Sequence, residues 1–161
     1  MSSWLDVALL AVLIVLNGVF AMSEISLVTS RRARLQRLID DKVAGAERAR
    51  ELNADPNRAL STIQVGITSI GILSGIVGES ALARPMEAFL VMVGLSPETA
   101  KAIGLFVVVV LITYFSIVMG ELVPKRIGQI SPERIACRLA PPIHCLSIIA
   151  CLLYTSPSPR D

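Results

Sequence analysis

Ile103 to Gly120 reads IGLFVVVVLITYFSIVMG, a run of 18 residues without one charged side chain. A helix rises about 1.5 Å per residue, and a bilayer's hydrocarbon core asks for about 20 apolar residues. With its flanks this run forms a span over about Ala102 to Val123. Nothing else in the chain is so uniformly apolar.

On the C-terminal side the span closes in GELVPKRIGQ, Gly120 to Gln129. Lys125, Arg126, Arg134 and Arg138 follow, which puts this end in the cytoplasm. Ser131-Pro132-Glu133 opens a further helix, with serine as cap and proline at the first helical position. Residues 135–154 are apolar but carry Pro141-Pro142, which predicts a bent juxtamembrane element. Residues 1–150 are taken as a transmembrane domain. Residues 151–161, ending in TSPSPRD, are taken as a non-native-looking or disordered tail on a fragment that once continued into the cytoplasm.

On the N-terminal side, Ser96-Pro97 starts the span's helix, and PMEAFLVMVG before it is apolar yet too short to cross. Arg84-Pro85 predicts a helix break there, so a re-entrant or interfacial helical hairpin is expected. Leu60 to Leu82 forms a second span, rich in Gly66, Gly71, Gly75 and Gly78. Small residues at three- and four-residue spacing let helices approach closely in lipid, so this face is expected to pack on another helix.

The first span runs from Trp4 to Val28. It is no signal peptide, because MSSWLD lacks a positive n-region. Residues 31–58 hold eight of the fifteen Lys and Arg residues, which places this loop inside and the N-terminus outside. Leu35, Leu38, Ile39, Val43, Ala46, Ala49 and Leu52 recur at helical spacing, predicting an amphipathic helix weakened at Gly45. The fold class is therefore all-α integral membrane: three transmembrane helices, a short helical hairpin and a juxtamembrane helix.

Composition agrees, with 53% hydrophobic, 17% charged and 4% aromatic residues. A net charge of +2 is too small to argue for a nucleic-acid partner, and the basic stretches lack aromatic stacking residues, so none is expected. Cys137, Cys145 and Cys151 lack metal-ligand spacing. The sole His144 has no acid beside it in sequence, so no nucleophile with a positioned base is visible and no enzyme is expected.

Glu24 and Glu121, near the inner ends of the first and third spans, are the informative acids. A carboxylate at that depth costs a few kcal/mol unless it is paired, hydrated or bound to a cation. Pairing of Glu121 with Lys125 or Arg126 is the plain alternative. The hydroxyls of Ser23 and Ser69, the Glu121 carboxylate and backbone carbonyls near Gly120 are hard oxygen donors of the kind Mg²⁺ takes. Pro124 has no N–H to give to the Gly120 carbonyl, which leaves that oxygen open to another partner.

The stretches NGVFAMSEISL (Asn17 to Leu27), STIQVGITSIGILSG (Ser61 to Gly75) and above all GELVPKRIGQ resemble the transmembrane domain of the CNNM/CorC (hemolysin-like) magnesium transporter family, over about residues 4–148. The resemblance implies a homodimer in the plasma (inner) membrane, in contact with lipid. It implies export of Mg²⁺, or Co²⁺ as a related ion, coupled to Na⁺ entry. The metal ligands it implies are Ser23, Gly120 and Glu121, with Ser69 the nearest polar substitute for an asparagine of the second span. The family's cytoplasmic CBS pair and C-terminal domain are missing from this chain. The alternative function is a non-transporting membrane anchor or sensor for those missing parts.

Overall fold

The computed structural model describes residues 3–154; the tail Thr155–Asp161 lies outside them. The described residues are helical apart from short turns: α1 (Ser3–Thr29), α2 (Arg32–Asp40), α3 (Ala46–Ala54), α4 (Pro56–Gly78), α5 (Arg84–Met92), α6 (Pro97–Ile117), α7 (Val123–Ile130) and α8 (Pro132–Tyr154). Three helical stretches are long and apolar enough to cross a membrane: Trp4–Thr29, Pro56–Met92 and Pro97–Ile130. This is an all-α integral membrane domain with three spans.

Two π-turns join helices that the sequence alone would separate. Glu79–Ala83 links α4 to α5, and Val118–Leu122 links α6 to α7. Each lies just before a proline, Pro85 or Pro124. A proline within a helix deprives the carbonyl four residues back of its donor, here those of Ala81 and Gly120. A π-turn reaches back five residues instead, as Val123 N–H does to the Val118 carbonyl, and so absorbs the mismatch without ending the helix. The break expected at Arg84-Pro85 is therefore corrected: Pro56–Met92 is one helical stretch of 37 residues. Pro141-Pro142 likewise lie inside a continuous α8.

The Cα packing divides the chain into two compact units. One takes the chain up to Val19 together with Ile67–Pro124. Here α5 packs on α6 as the short helical hairpin, turning at Gly94, whose φ of +107° suits glycine. Ser96 caps α6, its Oγ accepting from Thr99 N–H at 3.4 Å, with Pro97 in the first turn. Gly104 lies so close to the α5 backbone that a Cβ would stand 3.3 Å from Glu87 N. Of the second-span glycines, Gly78 receives the Ile112 side chain, whereas Gly71 and Gly75 have nothing within 4 Å of a would-be Cβ. Within this unit, then, only part of the expected small-residue face is packed.

The other unit takes Phe20–Gly66 and the chain from Lys125 onward. The amphipathic segment is two helices instead of one. Lys42 (φ +54°) and Gly45 (φ +80°) reverse the chain between α2 and α3, and α3 packs along α8. A side chain at 45 would run into the Cys137 carbonyl, so this glycine is demanded twice, by conformation and by space. Leu35, Ala46, Ala49 and Leu52 are buried as the pattern predicts, while Val43 is exposed. Asn53 Nδ2 donates to the Leu27 carbonyl at 2.9 Å and satisfies the end of α1. The carboxylate of Glu133 accepts from Arg31 N–H at 3.4 Å and lies 3.8 Å from the Arg34 guanidinium. Burial, aided by the Glu133 charge, pushes the Cys137 thiol above its ordinary pKa.

Candidate functional site

The first unit holds a cavity of about 310 Å³. Its polar lining comes from all three spans: Asn17 from α1, Ser74 and Glu79 from the second, Thr113, Ser116 and Glu121 from the third. Helical spacing explains the convergence. Thr113, Ser116, Ile117 and Glu121 recur at three- and four-residue spacing along one face of the third span. Gly71, Ser74, Gly75 and Glu79 do the same on the second. Ser74 is buried to 5% exposure, whereas Glu121 is half-buried. A second cavity of about 460 Å³ shares Glu79 and Leu105 with the first and adds Arg84, Glu87 and Lys101.

Gly120 and Glu121 sit in the π-turn, and the Gly120 carbonyl accepts a hydrogen bond from Asn17 Nδ2 at 3.1 Å. The carbonyl that Pro124 cannot serve is thus served from α1. Close approach makes this possible. A Cβ on Gly120 would stand 3.1 Å from Asn17 Nδ2, and one on Gly18 would stand 2.8 Å from Pro124 Cγ. The small residues on both sides bring the backbones together.

Of the site residues read from the sequence, Glu121 lines this cavity, and Gly120 is its neighbour in the π-turn. Ser69 is exposed and does not line it; Ser74, five residues on and so about 140° around the helix, does. Ser23 belongs to the second unit, where it is buried at 1% exposure. Glu24, the other intramembrane acid, has Lys125 at 3.5 Å. Asn17, Ser74, Glu79, Thr113 and Ser116 were not singled out from the sequence. Their signal was the polar stripe at helical period. Among the described residues no three His, Cys, Asp or Glu side chains cluster as a metal cage would need. The cavity's chemistry is that of hydroxyl, amide and backbone oxygens with two separate carboxylates.

The family model for the cyclin M transmembrane N-terminal domain matches residues 8–155. This chain belongs to the CNNM family. It is 42% identical over 151 residues to a UPF0053 protein of Synechocystis sp., covering 93% of this chain and 34% of that protein. It is 32% identical over 143 residues to the polyamine export protein of Escherichia coli, covering 88% and 32%. It is 33% identical over 141 residues to UPF0053 protein YhdT of Bacillus subtilis, covering 88% and 31%. The chain thus spans about a third of the length of these relatives.

Proposed function

We propose that this chain is the membrane domain of a cation transporter and that the cavity of the first unit holds the cation in transit. The observation that carries the reading is the convergence of oxygen-bearing side chains from three apolar spans on one cavity. Polar groups at that depth are costly and mark ion or substrate pathways.

Mg²⁺, or Co²⁺ in its place, is the ion we assign, with Na⁺ as the coupling ion for export. Mg²⁺ keeps several waters and takes one or two carboxylates, and six waters at about 30 Å³ each fit within 310 Å³. Glu121 and the Gly120 carbonyl are the ligands we favour, with Ser74 as the second-span hydroxyl in place of Ser69. Ser23 is kept as a candidate on the strength of the resemblance alone. Glu79, common to both of the cavities described above, would pass the ion between them. We assign the N-terminus to the outside of the inner membrane from the eight basic residues of 31–58. Exposed apolar side chains such as Phe106, Tyr114 and Leu122 would face lipid or a second copy in a homodimer.

A second reading has one specific support: the Escherichia coli relative is named a polyamine export protein. Two carboxylates, Glu79 and Glu121, lining one cavity also suit an organic polycation. Flux from proteoliposomes containing the purified chain separates the readings. Mg²⁺ flux driven by a Na⁺ gradient is the expected result. Spermidine flux without Mg²⁺ flux would move the substrate to polyamines. Neither flux would leave a non-transporting anchor or sensor domain.

A further inference from the structure

Only one end of the Asn17 side-chain amide is hydrogen-bonded. Nδ2 donates to the Gly120 carbonyl at 3.1 Å, while Oδ1 is buried and has no hydrogen-bond partner. Among the described residues it is the one buried side-chain nitrogen or oxygen in that condition. Native proteins seldom leave such an atom unanswered, and each instance calls for a reason. Turning the amide over does not supply one. It would set Oδ1 against the Gly120 carbonyl, two acceptors in contact with no proton between them.

The amide is therefore held with its nitrogen on the π-turn and its oxygen left open to another partner. Asn17 lines the same cavity as Glu121 and Ser74. An amide oxygen is a hard, neutral donor, well suited to Mg²⁺. Being neutral, it adds a ligand without adding a second negative charge beside Glu121, which would be costly whenever the site is between ions.

We propose that Asn17 is a direct cation ligand: Oδ1 enters the ion's coordination shell while Nδ2 fixes the Gly120 carbonyl. The inference rests on the reading of this cavity as a cation site and adds to it a ligand from the first span. One side chain then ties ion occupancy to the π-turn that carries Glu121.

The test is calorimetric titration of the purified full chain in detergent with Mg²⁺, comparing wild type with Asn17→Leu and Asn17→Asp. Leucine keeps the bulk and removes both polar atoms; aspartate keeps the oxygen and loses the donor. The expected result is at least tenfold weaker binding in Asn17→Leu, and saturable binding in Asn17→Asp that is tighter than in Asn17→Leu although the contact to Gly120 is lost. Wild-type affinity in Asn17→Leu would overturn the proposal. Loss of binding in Asn17→Asp would overturn it too, since the side chain would then matter only as a clamp on Gly120. If melting shows that Asn17→Leu does not fold, Asn17→Asp decides alone. Absence of Mg²⁺ binding in wild type would overturn the cation reading and this ligand with it. Wild-type binding that is indifferent to position 17 would remove Asn17 alone.

Discussion

The side-chain amide of Asn17 and the backbone carbonyl of Gly120 meet at 3.1 Å, joining the first span to the π-turn of the third. The contact has two causes in the sequence. Pro124 withholds the donor that a regular helix would have offered Gly120, and the missing side chain at 120 leaves room for an amide. The same local irregularity presents Glu121 to the cavity. A regular helix would have satisfied the carbonyl internally and placed Glu121 about 100° out of phase with the residues after it.

Gly120→Ala should disturb that contact without unfolding the chain. Its Cβ would lie 3.1 Å from Asn17 Nδ2 and 3.4 Å from the Ile14 carbonyl oxygen. Overpacking of this degree costs about 1–3 kcal/mol. We expect a lower melting temperature and about tenfold weaker Mg²⁺ binding. Unchanged binding would show that the approach of α1 to the π-turn is incidental to the site.

Glu79→Gln separates binding from passage. Glu79 lines both of the cavities described above, whereas Glu121 lines the first. The variant is expected to bind Mg²⁺ with near-wild-type affinity in calorimetry and to lose most flux in proteoliposomes. Full flux would remove Glu79 from the path.

Gly45→Ala tests the second unit. The position has φ +80°, and a Cβ there would strike the Cys137 carbonyl. Left-handed backbone alone costs a non-glycine residue about 1–2 kcal/mol, and the clash adds to it. We expect marked loss of thermal stability, with Mg²⁺ affinity of the folded fraction unchanged.

Cysteine reactivity follows burial. Cys137 is buried and its pKa is raised by that burial and by Glu133, while Cys145 is exposed. A raised thiol pKa lowers the thiolate fraction at neutral pH. Maleimide labelling read by peptide mass spectrometry should therefore modify Cys145 well before Cys137, the gap narrowing as pH rises. Equal labelling at neutral pH would contradict the packing of α3 on α8.

The spans were legible because lipid imposes length and apolarity on any helix that crosses it, and IGLFVVVVLITYFSIVMG meets both demands by itself. The caps at Ser96-Pro97 and Ser131-Pro132 were legible because the chemistry is local. Glu121 stood out as a carboxylate beside a long apolar run, and Gly120 as the carbonyl deprived by Pro124. What stayed hidden depends on rotation about a helix axis. Ser69 and Ser74 look alike in sequence, and only the packed second span shows that Ser74 faces the cavity. The π-turns stayed hidden as well, because Arg84-Pro85 reads as a break, and Pro124 as the loss of one hydrogen bond, unless the helix can take in one extra residue per turn. Gly45 read as a weak point in one helix, whereas the carbonyl of Cys137, far away in sequence, makes it the boundary of two.

Glu121→Gln is the sharpest single comparison, since it removes one charge from the cavity and almost no volume. Calorimetric titration of Mg²⁺ into the purified domain should show saturable binding in wild type and none in Glu121→Gln, with both proteins melting alike. Equal binding in the two proteins, or no binding in wild type with the fold intact, would contradict the assignment of this cavity as the cation site.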